Sequence, residues 1–375
     1  MSATVLIFFC IGLVLLIVGA DLLVAGASRI AGRLGISPLV IGLTIVAFGT
    51  SAPELAVSTT GALTGQADLA LGNVVGSSIF NVLFILGMAA LVAPLTVQGQ
   101  LVRIDVPIMI AASGLCWLFA LDGEISRIDG TILAAGILTY TVLLILMSRR
   151  QAAEVAAAAA LVDAARQPNE SRRSLVERIP VQVAMIGGGL AMLVFGSRWL
   201  VEGAVAVAHS LGISELVISL TVVAAGTSLP ELATSVLAAY RGQRDIAVGN
   251  VVGSNIFNIL CVLGFSAVIA PKGIAVAPAA LSFDIPVMTA VAVACLPLFI
   301  TGGVVSRWEG AVFVAYYVAY TVYLVLAAQQ HDAVATYGLA MRYVVLPLTA
   351  LTVLVLLLRD FRRKRGGPSA PTSAG

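Results

Sequence analysis

Stretches long and apolar enough to cross a bilayer recur along almost the whole chain, and no other feature of the sequence constrains the fold as strongly. They occupy residues 3 to 28, 38 to 63, 69 to 93, 103 to 121, 126 to 148, 180 to 207, 214 to 240, 246 to 270, 281 to 300, 304 to 328 and 337 to 358. Each is close to the roughly 20 residues an α-helix needs to span the hydrocarbon layer. No water reaches backbone amides and carbonyls there, so every stretch has to close its own hydrogen bonds as a helix. The expected class is an all-α polytopic membrane protein, and 60% hydrophobic with only 11% charged residues excludes a soluble domain. The first stretch lacks the basic opening of a secretory leader and reads as a span. Cys10, Cys116, Cys261 and Cys295 fall in separate spans without ligand spacing, which predicts buried small side chains.

With eleven alternating spans, Arg29, Arg33, Arg103, the run from Arg149 to Arg178, Arg241, Arg244, Arg307 and the tail from Arg359 to Arg365 fall on one face. Cytoplasmic loops collect Lys and Arg, so this face is predicted to be cytoplasmic, with the N-terminus outside and the C-terminus inside. Residues 149–179 are the one long polar connection and read as a short Ala-rich helix followed by a basic cytoplasmic linker. The linker divides a first half, 1–148, from a second, 180–330; residues 331–375 hold the extra C-terminal span and a basic tail.

The halves are copies. Residues 42–87 laid over 219–264 without a gap give 29 identities in 46 positions, including "GTSAPELA" against "GTSLPELA" and "GNVVGS" in both. Five spans separate each element from its copy, and five is odd, so the copies cross the membrane in opposite directions. That layout, an inverted repeat of 5+5 transmembrane helices, is typical of secondary transporters.

Each repeat places a helix-breaking proline and a carboxylate in a hydrophobic run. Pro53 has no amide to give to the carbonyl of Gly49, nor Pro230 to that of Gly226, so the helix is expected to open there. Thr50 and Glu54, four residues apart, share the face beside the opening, with Ser51 adjacent. In the third span Ser77 and Asn81 share a face, and in the eighth Ser254 and Asn258 do. Carboxylates, hydroxyls, amide oxygens and carbonyls are the donors hard cations prefer, whereas thiolates and imidazoles are missing. One neutral glutamate in a membrane could serve packing alone; two at equivalent positions beside two prolines argue for a function. Asp21, Asp105 and Asp284 lie near span ends, where polar residues are ordinary. No histidine accompanies the Ser or Glu of either repeat, which argues against an intramembrane enzyme.

"GTSAPELA" with "GNVVGSSIFN", and "GTSLPELA" with "GNVVGSNIFN", resemble the paired repeats of the sodium/calcium exchanger family within the calcium/cation antiporter superfamily, in its prokaryotic form. The resemblance implies a ten-helix core whose second, third, seventh and eighth spans form the ion site, while the first and sixth slide across it. Carried over by position, it makes Glu54 and Glu231 calcium ligands, aided by the backbone carbonyls of Thr50 and Thr227. Sodium sites would use the carbonyls of Ala47 and Ala224 with Ser51, Ser77, Ser228 and Ser254, and Asn81 and Asn258 would lie near the centre. Some relatives, potassium-dependent exchangers among them, carry Asp at one of those amide positions; Asn at both argues against potassium cotransport.

The implied activity is alternating-access exchange of three sodium ions for one calcium ion, electrogenic, at the inner (plasma) membrane, with no cofactor. The expected partners are sodium and calcium ions and the lipid bilayer, without nucleic acid or an obligatory protein partner. A proton/calcium antiporter of the same fold is the alternative, since paired glutamates can carry protons. Serine hydroxyls at 51 and 228 favour sodium.

Overall fold

The computed structural model describes residues 3–163, 179–211, 218, 221–222, 224–331, 333–334 and 338. Among the described residues nine spans, one of them broken, and part of a tenth can be followed. The first is Ala3–Leu34; the second is broken into Pro38–Thr50 and Ala52–Leu63; the third, fourth and fifth are Leu69–Val92, Leu101–Ala120 and Arg127–Asp163. The sixth is Ile179–Ser210, and the seventh comprises Ala224–Gly226 and Leu229–Tyr240. Arg244–Ile269, Ala280–Ile300 and Arg307–Ala328 complete the set. The eleventh stretch except residue 338, the basic tail and residues 164–178 of the linker lie outside the described residues.

Local signals set the helix starts. Ser37 accepts the amide of Val40 while Pro38 fills the first helical position, where no amide is needed. The fifth and tenth spans open on related segments, "SRIDG" at 126–130 and "SRWEG" at 306–310. Ser306 and Glu309 form a capping box, and in the first half Asp129 accepts from the Ser126 amide at 2.9 Å. The Ala-rich segment expected as a separate helix continues the fifth span without interruption to Asp163, because no Gly or Pro after Ser148 breaks it.

Burial separates centre from periphery. In the third and eighth spans 78% and 83% of the apolar window is buried, against 22% and 28% in the first and sixth. The two outer helices pack lengthwise on each other. A Cβ added at Gly12 or Gly19 would lie 2.8 Å from the carbonyl oxygen of Gly196 or Gly189, so the backbones touch through glycine. This peripheral position corrects the expectation for Cys10, which is exposed on the outer first helix, while Cys116, Cys261 and Cys295 are buried.

Four two-residue strands tie the halves together and register the inversion. β1 (Leu95–Thr96), between the third and fourth spans, pairs with β4 (Val304–Val305), between the ninth and tenth. β2 (Glu124–Ile125), between the fourth and fifth, pairs with β3 (Ile274–Ala275), between the eighth and ninth. One span separates the two ribbons, so they lie on opposite faces. The connection carrying β1 in the first half corresponds to the one carrying β3 in the second, which makes the repeat inverted.

Candidate functional site

The second span stops at Thr50 and resumes at Ala52 with a 45° bend. Ser51 sits in the gap with φ −81° and ψ 7°; Ser228 has φ −91° and ψ 9° at the corresponding place in the seventh span. Pro53 and Pro230 occupy the first turn of the resumed helices, the one place an α-helix tolerates a missing amide. Glu54 and Glu231 fall in those same first turns, where free amides and the positive end of the helix dipole favour a carboxylate. Both side chains are fully buried, as are Ser51, Ser228 and Thr50.

The repeats meet by exchanging bonds. Ser51 Oγ donates to Glu231 Oε1 at 3.0 Å, and Ser228 Oγ donates to Glu54 Oε1 at 2.8 Å. Thr50 Oγ1 donates to Asn250 Oδ1 at 3.2 Å, and Thr227 Oγ1 to Asn73 Oδ1 at 3.3 Å. The amide of Asn73 turns back to the Glu54 carbonyl at 3.2 Å and Ser58 Oγ at 2.9 Å; Asn250 does the same to the Glu231 carbonyl at 3.4 Å and Ser235 Oγ at 2.9 Å. Each asparagine thereby pins the resumed helix of its own repeat and the broken turn of the other. The sequence reading passed over Asn73, Asn250, Ser58 and Ser235. Their signal was their identity in both copies, with Asn73 and Asn250 each four residues before Ser77 and Ser254.

One oxygen of each carboxylate is thus held, and the second is not. Glu54 Oε2 and Glu231 Oε2 are buried without a hydrogen-bond partner, together with Asn81 Oδ1, Ser254 Oγ and both amide atoms of Asn258. Buried polar atoms without partners are rare, and such a concentration of oxygens marks a place for a cation. Among the described residues no group of three or more His, Cys, Asp and Glu gathers.

The remaining expected positions lie on the second, third, seventh and eighth spans, the same spans that carry these bonds. Asn81 and Asn258 each open a π-helical turn, Asn81–Leu86 and Asn258–Leu263, a local widening common at functional sites. The first packs against the helix carrying Glu231, and the second against the helix carrying Glu54. Ser77 is buried and donates to its own Asn73 carbonyl. The Ala47 carbonyl already receives the Ser51 amide at 3.0 Å and Thr50 Oγ1 at 3.4 Å, so a cation there has to displace the longer of the two. Ala224 opens the helical turn before the second break.

Two of the outer acids are more organised than their position suggested. Asp105 is fully buried and accepts from Tyr140 at 3.0 Å and Gln100 at 3.2 Å. Its counterpart Asp284 accepts from Tyr320 at 2.8 Å and is half-buried. Each ends a π turn, so both act as clasps between neighbouring spans. Asp21 pairs with Arg241 at 2.7 Å, with both side chains substantially exposed.

Comparison with known proteins agrees with this architecture. A family model described as sodium/calcium exchanger protein matches residues 4–146 and 181–326, one match in each half. The inner membrane protein YrbG of Escherichia coli is 40% identical over 290 residues, spanning 76% of this chain and 85% of that one. The sodium/calcium exchanger MaX1 of Methanosarcina acetivorans is 35% identical over 347 residues, spanning 84% and 96%. Among solved structures, the sodium-calcium exchanger NCX_Mj soaked with 2.5 mM Na+ and 0.1 mM Ca2+ superposes with a TM-score of 0.71 at 28% identity, covering 85% of this chain and 97% of that one.

Proposed function

This chain belongs to the sodium/calcium exchanger family of multi-pass membrane antiporters, and from that premise we propose that it exchanges three sodium ions for one calcium ion between Glu54 and Glu231. One observation carries the reading: two fully buried carboxylates, each with one oxygen held by a serine of the opposite repeat and the other oxygen unpartnered. Their two charges match one divalent ion. Calcium takes six to eight oxygens at about 2.3 to 2.6 Å, and the carbonyls of Thr50 and Thr227 extend the carboxylate set.

Ser51, Ser77, Ser228 and Ser254, the carbonyls of Ala47 and Ala224, and Asn81 and Asn258 supply neutral oxygens for sodium. Three sodium ions carry one charge more than one calcium ion, so a cycle moves one net charge and responds to voltage by about 2.3 kcal/mol per 100 mV. An empty site keeps two unpaired carboxylates in low dielectric, and that penalty discourages crossing without cargo.

Alternating access is supported by a difference between equivalent groups. Thr50 and Asn250 are fully buried, whereas Thr227 and Asn73 are half-buried. The Thr50–Asn250 pair is thus more enclosed than the Thr227–Asn73 pair, while both carboxylates are fully buried. Movement of the glycine-packed first and sixth spans would reverse the two. Arginines at 103 and 307 flank the connections joined by β1 and β4, which supports reading that face as cytoplasmic and the N-terminus as outside. The two five-helix halves act together as the transport unit, in the inner membrane.

The test is calcium uptake into proteoliposomes at clamped voltage under a sodium gradient and then under a pH gradient. Uptake is expected with sodium, to move charge, and to be unaffected by the pH gradient. Uptake driven by pH alone would replace sodium with protons.

A further inference from the structure

The two central amides are placed alike by the repeat and yet are held differently. Asn81 Nδ2 donates to Asn255 Oδ1 at 3.2 Å, and Asn255 Nδ2 donates in turn to Met109 Sδ at 3.5 Å. A thioether sulfur accepts hydrogen bonds and never donates. It therefore fixes the direction of the chain: the Asn255 amino group faces Met109, its carbonyl oxygen faces Asn81, and Asn81 must answer with its own amino group. The Asn81 carbonyl oxygen is left buried without a partner, directed away from Asn255.

The other repeat contains a natural control. Met109 has its counterpart in Met288, since "DVPIM" at 105–109 matches "DIPVM" at 284–288, and both methionines are buried. Asn255, however, corresponds to Ser78. That shorter side chain donates to its own Val74 carbonyl at 2.7 Å and reaches no amide. Asn258 accordingly has no partner for either amide atom.

We propose that Asn255, oriented by Met109, is a positioning residue that aims the Asn81 carbonyl oxygen at a transported monovalent cation, giving the first repeat a preset amide ligand that the second repeat lacks. The proposal rests on reading the cluster around Glu54 and Glu231 as the ion site. An amide that presents its NH2 repels a cation as surely as its oxygen attracts one, so orientation alone alters affinity.

Met109→Leu removes the acceptor at nearly constant volume, and Asn255→Ser gives the second repeat the residue of the first. Both are expected to raise the sodium concentration for half-maximal exchange by about five- to tenfold, the worth of one oriented hydrogen-bonding group. The maximal rate and the calcium half-saturation, set by the carboxylates, should stay within about twofold, well inside the effect of a single such group. In an Asn81→Ala background Met109→Leu should add no further shift, which a merely structural role for Met109 does not predict. An unchanged sodium dependence in Met109→Leu overturns the relay, as does a shift that persists without the Asn81 amide. Glu54→Gln measured in parallel tests the underlying reading separately: calcium flux surviving that change removes the ion site itself, whatever Met109→Leu does.

Discussion

The two repeats agree in the bonds made around the buried carboxylates and differ in the polar side chains beyond them. Ser51 and Ser228, Thr50 and Thr227, and Asn73 and Asn250 make the same bonds across the pseudo-two-fold axis. Around them the symmetry fails: Asn255 stands opposite Ser78, Thr234 opposite Val57, Ser266 opposite Ala89, and Asp105 has two donors where Asp284 has one. The difference has a physical meaning. If an inverted repeat were perfect, exchanging the conformations of its halves would regenerate the same molecule facing the other way, at equal energy. Only the departures can favour one facing state. The symmetric core is therefore neutral between the two facing states, and only the asymmetric shell can bias them.

The symmetric part is broken most strongly by removing charge. Glu54→Gln and Glu231→Gln are each expected to reduce calcium flux by at least about 100-fold, since losing one member of a buried charge pairing costs on the order of 3 kcal/mol. The reductions should be equal, and one variant retaining flux in a vesicle uptake assay would show that the carboxylates are not equivalent. A smaller effect is expected from Asn73→Ala and Asn250→Ala, which strip two donated bonds and one accepted bond from each break. The loss should be greater for Asn250, fully buried, than for Asn73, half-buried, with each bond worth about 1 kcal/mol. Thermal unfolding in detergent would reveal the order, and a reversed order would contradict the control of these bonds by burial.

Much of this could be read from residue order because membrane physics leaves few choices. A long apolar run must be helical, a proline inside it must open the ladder, and a glutamate repeated beside that opening has few uses besides charge. Asn73 and Asn250 stayed hidden because their partners lie 154 and 200 residues away, beyond any helical periodicity. The change from Ser78 to Asn255 looks like polar drift until Met109 is seen beneath Asn255. The exposure of Cys10 depends on which helices are peripheral, and apolar composition is the same facing lipid or protein. The two-residue strands carry no periodic signal at all.

The outer clasps offer a finer comparison. Tyr140→Phe removes a donor from fully buried Asp105, leaving only Gln100, and should destabilise the protein by about 1 to 3 kcal/mol. Tyr320→Phe removes the tyrosine donor of Asp284, but that carboxylate is half-buried, so solvent or headgroups compensate and the loss should stay below about 1 kcal/mol. Equal unfolding temperatures for the two variants would show that burial of the acid does not govern the clasp.

The smallest effect should come from the Asp21–Arg241 ion pair, and it tests the asymmetric shell most directly. Thr64 and Arg198 occupy the equivalent positions, so the first half cannot form its mirror image. The pair joins the outer first span to the connection between the seventh and eighth spans, hence a helix proposed to move to the frame proposed to stay. Exposed pairs contribute only about 0 to 1 kcal/mol, so Asp21→Asn should hardly alter unfolding. A bond present in one facing state alone nevertheless shifts the balance between states by its full value, up to about fivefold. Forward and reverse exchange, measured in vesicles of opposite orientation, should change in ratio by that much with calcium half-saturation at the symmetric carboxylates unchanged. An altered calcium affinity with an unchanged ratio would assign Asp21 to the site and not to the bias between its two sides.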